Sequence, residues 1–145
     1  MTPQKLEKLW QEHTTAEFLK RDVEATLATM TDDAYINIVP LNLNARGKDA
    51  VQAFYRDVLI PSVPDDLQAT IVNRVIGERY LVDEVNSTLT HSKRMDWLLP
   101  NVPPTFKKIE LDHVVVVKFR GNKIVGERVY WDQAIVLKQA GLLKD

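Results

Sequence analysis

The chain contains no cysteine. That excludes disulfides, thiolate nucleophiles and cysteine-built metal sites, and makes a reducing, cytoplasmic setting the default expectation. Nor is there an excess of charge. Nineteen Lys and Arg against 20 Asp and Glu leave a net charge of −1, with no electrostatic footprint for nucleic acid or an anionic membrane. No apolar run approaches the ~20 residues of a membrane span. The opening stretch MTPQKLEKLW is polar and helix-patterned, unlike a signal peptide. Glycine is scarce, with 5 in 145 residues, and no phosphate loop, dinucleotide fingerprint or Gly-x-Ser-x-Gly elbow occurs. The histidines His13, His91 and His113 show no metal-ligand spacing such as His-Glu-x-x-His, so neither a metal nor a cofactor is expected.

What is present is an ordinary globular composition, 45% hydrophobic and 27% charged, long enough for one domain spanning residues 1–145. Thr2-Pro3 reads as an N-cap followed by proline at the first helical position, and Leu6, Leu9, Trp10, His13 and Glu17 then recur at helical spacing. Lys20-Arg21-Asp22 breaks that helix. A second one carries Val23, Leu27 and Met30 and ends near Thr31-Asp32-Asp33. Ala34–Val39 is a short strand closed by Pro40, and Leu41–Lys48 a loop. Ala50–Ile60 is a helix buried along Val51, Phe54, Tyr55, Val58 and Leu59, stopped by Pro61 and Pro64. Strands follow at Ala69–Ile76 and Tyr80–Thr90. Ser92–Thr105 is a proline-bearing loop of the length that often forms a lid or binding segment. Phe106–Phe119 and Lys123–Asp132 are strands joined by Gly121-Asn122, a hairpin turn, and Ala134–Leu142 is a closing helix.

Helices followed by a meander of long strands make an α+β fold. Val114–Val117 is apolar on both faces, so the sheet must be covered on both sides. The helices are too few for that, and a second subunit on the outer face is the simplest cover, so a homodimer is expected.

The stretch Tyr130-Trp131-Asp132 places a carboxyl at a strand end between two rings, where it is costly to desolvate unless paired or used. A two-residue turn at Gly121-Asn122 sets His113 opposite Tyr130 and Leu111 opposite Asp132. A symmetric pairing across the proline loop adds Glu84 opposite His113. The row Glu84, His113, Tyr130, with Asp132 diagonal to it, is a proton-transfer set: carboxyl and imidazole as base and acid, phenol as donor to an oxyanion. A single bulge would move any member to the other face. Structural roles stay open beside this. Asp132 is equally a good N-cap for the closing helix. Glu84–His113 can be an outer-face pair, and His13 beside Trp10 a packed core histidine. His91, at the strand end beside the proline loop, is a further pocket-rim candidate.

Several motifs carry a resemblance: Phe54-Tyr55, Val82-Asp83-Glu84, Thr90-His91, Asp96-Trp97-Leu98-Leu99-Pro100 with Val102-Pro103-Pro104-Thr105, and Tyr130-Trp131-Asp132-Gln133 leading to Gln139-Ala140-Gly141-Leu142-Leu143. With the layout of the whole chain, these resemble the nuclear transport factor 2-like superfamily, in its SnoaL-like polyketide cyclase and ester cyclase branch. The resemblance implies a cone-shaped curved sheet wrapped against N-terminal helices around an internal apolar pocket, and a dimer through the sheet's outer face. It also implies cofactor-free acid–base chemistry on a small apolar oxygenated molecule. Because no nucleophile is evident in the sequence, lyase, isomerase or cyclase chemistry is expected rather than hydrolysis. Asp132 corresponds most closely to the pocket acid of those cyclases, and His91 and His113 compete for the histidine. Tyr130 and Tyr35 would orient a carbonyl, and Phe54, Trp97, Trp131 and His13 would line the pocket. The alternative is a non-catalytic, ligand-binding or accessory dimer. Relatives of this group carry glycine where this chain has Asn101 and Phe106.

Overall fold

In the computed structural model, which describes residues 2–144, α1 spans Pro3–Thr14 and runs into a π-helical turn at Thr15–Leu19. Thr2 caps α1 by accepting from the Lys5 amide, as its place before Pro3 predicts. Arg21 turns the chain with a φ of 52°, and Asp22 then caps α2, Val23–Ala28. This helix ends earlier than its pattern suggests, because Met30 already belongs to strand β1, Met30–Ile38. The stretch expected as a loop after Pro40 contains strand β2, Leu43–Arg46, antiparallel to β1. Gly47, at φ 85°, leads into α3, Lys48–Ala53, continued by a π-helical turn through Phe54–Leu59. The long strands are β3 (Gln68–Ile76), β4 (Tyr80–Thr90), β5 (Lys108–Arg120) and β6 (Lys123–Trp131), followed by α4, Gln133–Gln139.

The fold is α+β. A curved, unclosed sheet of six strands runs in the order β2-β1-β6-β5-β4-β3, with β1 parallel to β6 and the N-terminal helices against one face. Alternation decides that face. Leu81, Asp83, Val85, Ser87 and Leu89 of β4 point inward, as do Ile109, Leu111, Val115, Val117 and Phe119 of β5. Leu6 and Trp10 of α1 and Val51 and Tyr55 of the α3 segment complete the core.

The expected hairpin row does not form. A bulge on β6 shifts the register between Phe119↔Ile124 and Lys118↔Gly126. His113 therefore pairs with Trp131, and Tyr130 with Val114. Across the proline loop Glu84 pairs with Val114 and His113 with Val85. The actual outer-face row is Asn73, Glu84, Val114 and Tyr130, and His113 belongs to the inner face. The proline segment is no loose lid: Met95, Leu98 and Leu99 are fully buried and Trp97 donates to Ser62 Oγ at 2.8 Å. Asn101 and Phe106, where the resemblance leads one to expect glycine, both have left-handed backbone, φ 61° and 57°.

Candidate functional site

Helix α1 presents Trp10 and His13 to the sheet, and the π-helical turn that follows it brings Glu17 to the same side, one helical turn beyond His13. π-Turns of this kind re-aim side chains and are frequent at functional sites. Tyr55 reaches in from the α3 segment. Glu127 comes from β6, on the inner face that it shares by parity with Val129 and Trp131. His13 and Tyr55 are fully buried, and Glu17 and Glu127 nearly so, at 3% and 7% exposure.

The four side chains meet around one imidazole nitrogen. His13 Nε2 lies 3.7 Å from Glu17 Oε2 and 3.6 Å from Glu127 Oε2. Tyr55 Oη donates to Glu127 Oε2 at 2.9 Å and stands 3.2 Å from His13 Nε2. The far side of the ring is anchored. Thr29 Oγ donates its proton to the Thr26 carbonyl at 2.7 Å, so it receives the His13 Nδ1 proton, also at 2.7 Å. Nε2 is therefore the nitrogen left to face the carboxyl groups. Trp10 stacks on the imidazole at 5.2 Å and donates its indole N–H to Asp83 Oδ2 at 2.9 Å. Arg74 holds that buried aspartate with two bonds of 2.7 and 2.8 Å.

Burial sets the electrostatics. It pushes the Glu17 carboxyl up to about 8, with repulsion from Glu127 adding to it and His13 opposing. Burial alone would lower His13, but its hydrogen bond and attraction to Glu127, with Glu17 adding, raise it above the usual histidine value. Burial among carboxyl groups raises Tyr55 well above the ordinary phenol. A weak acid, an imidazole and a neutral phenol within hydrogen-bonding reach can pass a proton among themselves and donate to a developing oxyanion.

The residues singled out in the sequence lie mostly elsewhere. Asp132 is exposed at the mouth of α4 and accepts from the Ala134 amide at 3.0 Å, which is the capping role. Glu84 and Tyr130 are on the outer face, where Glu84 accepts from Asn73 at 2.7 Å and Tyr130 Oη from Arg128 at 3.0 Å. His91 is buried in the proline segment, with Nδ1 accepting from the Thr105 amide at 3.1 Å, and burial lowers its pKa. His113 is likewise lowered by burial. Tyr35 lies over Gly126 on the outer side of the sheet. Trp131 donates to Gln133, and Trp97 to Ser62. Of the named residues only His13 and Phe54 adjoin the buried cluster, Phe54 edge-on to Tyr55 at 5.7 Å. Glu127 carries no motif and is one acid among many on a strand. Its only signal is parity with Val129 and Trp131, and the bulge breaks the count from the turn that would assign them a face. Glu17 has a plainer one, its place in the helical spacing of Leu6, Leu9, Trp10 and His13, four residues after His13.

Beyond the cluster, a groove of about 770 Å³ runs between α1, α2 and the β5–β6 turn, lined among others by Lys8, Ala16, Lys20, Ala28, Thr29 and Lys123. Thr29 is thus shared between the groove and the His13 anchor.

Comparison with solved structures finds the same fold at low identity. AclR of Streptomyces galilaeus, assigned as a hydroxylase, is 18% identical with a TM-score of 0.73, covering 99% of this chain and 85% of its own. An NTF2-like protein from Burkholderia xenovorans LB400 is 18% identical at a TM-score of 0.71, over 97% and 98% of the two chains. A protein from Jannaschia sp. CCS1, assigned as a SnoaL-like polyketide cyclase, is 13% identical at 0.73, over 94% of each. No curated protein sequence matches the chain. A family model matches residues 11–127, the span from the His13 helix to Glu127, and the chain belongs to that family, the SnoaL-like domain.

Proposed function

We propose that the protein is an acid–base enzyme of lyase, isomerase or cyclase type that works on a small, largely apolar oxygenated molecule without a cofactor. The observation that carries this is the convergence of the Glu17 and Glu127 carboxyl groups and Tyr55 Oη on His13 Nε2. In this reading Glu127 takes a proton from an acidic C–H or hydroxyl, and His13 and Glu17 return one. Tyr55 donates to the oxygen on which charge develops, and Phe54 forms an apolar wall. The groove that reaches Thr29 and Ala16 is the approach from solvent. The reading draws support from the family and from a relative assigned as a polyketide cyclase.

The test is a panel of lactones, ketones and epoxides assayed with point variants. Glu127→Gln and His13→Gln should each lower kcat/KM by roughly 10²–10⁴-fold, with Asp132→Asn near wild type. If Asp132→Asn abolishes turnover and Glu127→Gln does not, the acid is Asp132 and this reading fails.

A second reading has its own observation. The cluster's polar atoms bond to one another in a closed interior, as a structural polar core would. A non-catalytic binding or accessory module would turn over nothing on the panel, and cluster variants would change stability alone.

In either case we infer a cytoplasmic homodimer formed through the outer sheet face. Val75 and Tyr80 are 66% and 45% exposed there, beside half-buried Val82, Val114 and Val116. Light scattering of wild type and a Val75→Lys, Val116→Lys variant checks this; a monomeric wild type ends the inference.

A further inference from the structure

We propose that His13, Glu17 and Glu127 form a site for a first-row divalent ion of the Zn²⁺ class. This goes beyond the acid–base reading, in which the same side chains work with no ion between them.

The geometry comes first. One ligand atom from each residue, Nε2 of His13 and a carboxyl oxygen of each glutamate, lies within 4.8 Å of the others, and all three residues are buried. The imidazole edges of that triangle are 3.6 and 3.7 Å. An ion bound at ~2.0–2.2 Å to each ligand needs them ~3.0–3.5 Å apart. The two imidazole edges close by a few tenths of an ångström, and the carboxyl–carboxyl edge, within 4.8 Å, closes by rotation of the glutamate side chains.

The ligands are also oriented for it. Metal-bound histidines nearly always give their other N–H to a protein acceptor, which fixes the tautomer and aims the lone pair. Here Nδ1 is held by Thr29 Oγ, itself committed to the Thr26 carbonyl, so the Nε2 lone pair faces the glutamates. Glu127 has its own outer partner in Tyr55 Oη at 2.9 Å. Trp10 stacked on one face of the ring keeps the imidazole from rotating.

Donor chemistry and charge select the ion. One imidazole nitrogen with two carboxylate oxygens suits Zn²⁺, Mn²⁺ or Fe²⁺. It is too rich in nitrogen for a Ca²⁺ or Mg²⁺ cage and lacks the sulfur that Cu⁺ prefers. Binding displaces the protons that Glu17 and His13 hold in the metal-free protein, and the two carboxylates then left around a neutral imidazole carry two negative charges, which one divalent ion cancels. A buried unit of zero net charge avoids the desolvation penalty of uncompensated carboxylates. The spacing His13-x-x-x-Glu17 is the helical ligand spacing, so the sequence carries two of the three ligands although it lacks a His-Glu-x-x-His motif. An ion seated here occupies the nitrogen and both oxygens through which the proposed proton transfer passes, so it acts as an inhibitor of that chemistry.

The experiment is calorimetric titration of chelator-dialysed protein with ZnCl₂, repeated with Co²⁺ and read by its visible absorption. The expected result is one ion per chain at micromolar concentrations. Binding should be absent in His13→Gln and in Glu127→Gln, and unchanged in His91→Gln and His113→Gln. Circular dichroism checks that each variant is folded. The milder Thr29→Val, which leaves every ligand in place, should weaken binding by about 10–100-fold. No binding to the wild type overturns the proposal, and so does binding that survives both His13→Gln and Thr29→Val. Because the readout needs no substrate, its failure leaves the acid–base reading standing. Conversely, undiminished turnover by Glu127→Gln ends that reading whether or not the ion binds.

Discussion

His13 Nε2 on the first helix lies 3.6 Å from Glu127 Oε2 on the last strand and 3.7 Å from Glu17 Oε2. Three ionisable groups from opposite ends of the chain thus share one buried site, and stability depends on which of them hold protons.

Glu17 gives the sign of that dependence. Its folded pKa, about 8, is above the ordinary 4.5, so the folded state holds a proton that the unfolded chain has released. The stability this contributes is complete below about pH 4.5 and declines as pH rises toward 8. In metal-free protein, Glu17→Gln should remove that decline and make the variant the more stable of the two above pH 8, by at least about 1 kcal/mol. Chemical denaturation at several pH values checks this. Parallel pH profiles for the two proteins would mean that Glu17 is not the group concerned.

Asp83 lies under Trp10 and depends on Arg74 for its charge partner. Arg74→Met fills similar space but leaves a buried carboxyl with only the indole N–H. It should destabilise the protein by ~3–5 kcal/mol, whereas the double variant Arg74→Met, Asp83→Asn should recover part of the loss. Urea midpoints of the set measure it.

Gly126 is required by Tyr35. A Cβ at position 126 would come within 2.5 Å of the Tyr35 ring. Gly126→Ala should cost ~1–3 kcal/mol through overpacking. In the background of Tyr35→Ala the same change should cost far less, and the coupling in a double-mutant cycle is the measurement.

Phe106 holds a φ of 57° with its ring 70% exposed, so it bears left-handed strain with little packing in return. Phe106→Gly should stabilise by up to about 1 kcal/mol, since left-handed backbone costs an ordinary residue more than glycine loses in chain entropy. Asn101→Gly should gain nothing, because asparagine tolerates this region and its side chain accepts from Arg94 at 2.9 Å. Thermal melts of both variants measure this. A higher melting temperature for Asn101→Gly, with none for Phe106→Gly, would put the strain at residue 101 instead.

Asp132→Ala should cost ~0.5–2 kcal/mol through loss of the α4 cap, and Asp132→Asn only a small part of that. Differential scanning calorimetry of the pair checks both.

What the sequence settled by itself was local. The cap at Thr2, the turn at Gly121-Asn122, the bounds of Tyr80–Thr90 and the order of helices before strands follow from residue types a few positions apart, and so does the α+β class. Motif content carried the family as well. The site was another matter. Strand parity is a count from a turn, and one extra residue in β6 reverses it, so that Tyr130 faces outward while His113 and Glu127 face inward. Across the proline segment the β4–β5 register lies one residue from the symmetric pairing, which turns Glu84 outward. The one local sign of that bulge is Gly126, an isolated glycine inside a strand pattern, and it marks an irregularity without saying which face each neighbour takes. Met30–Thr31 likewise reads as a helix end and is taken into a strand because β6 offers it a partner. Whether Asp132 is buried or Glu127 is buried has the same root: an acid's environment is made by residues far along the chain, and only the packing of α1 and α3 on the sheet decides which carboxyl loses its water.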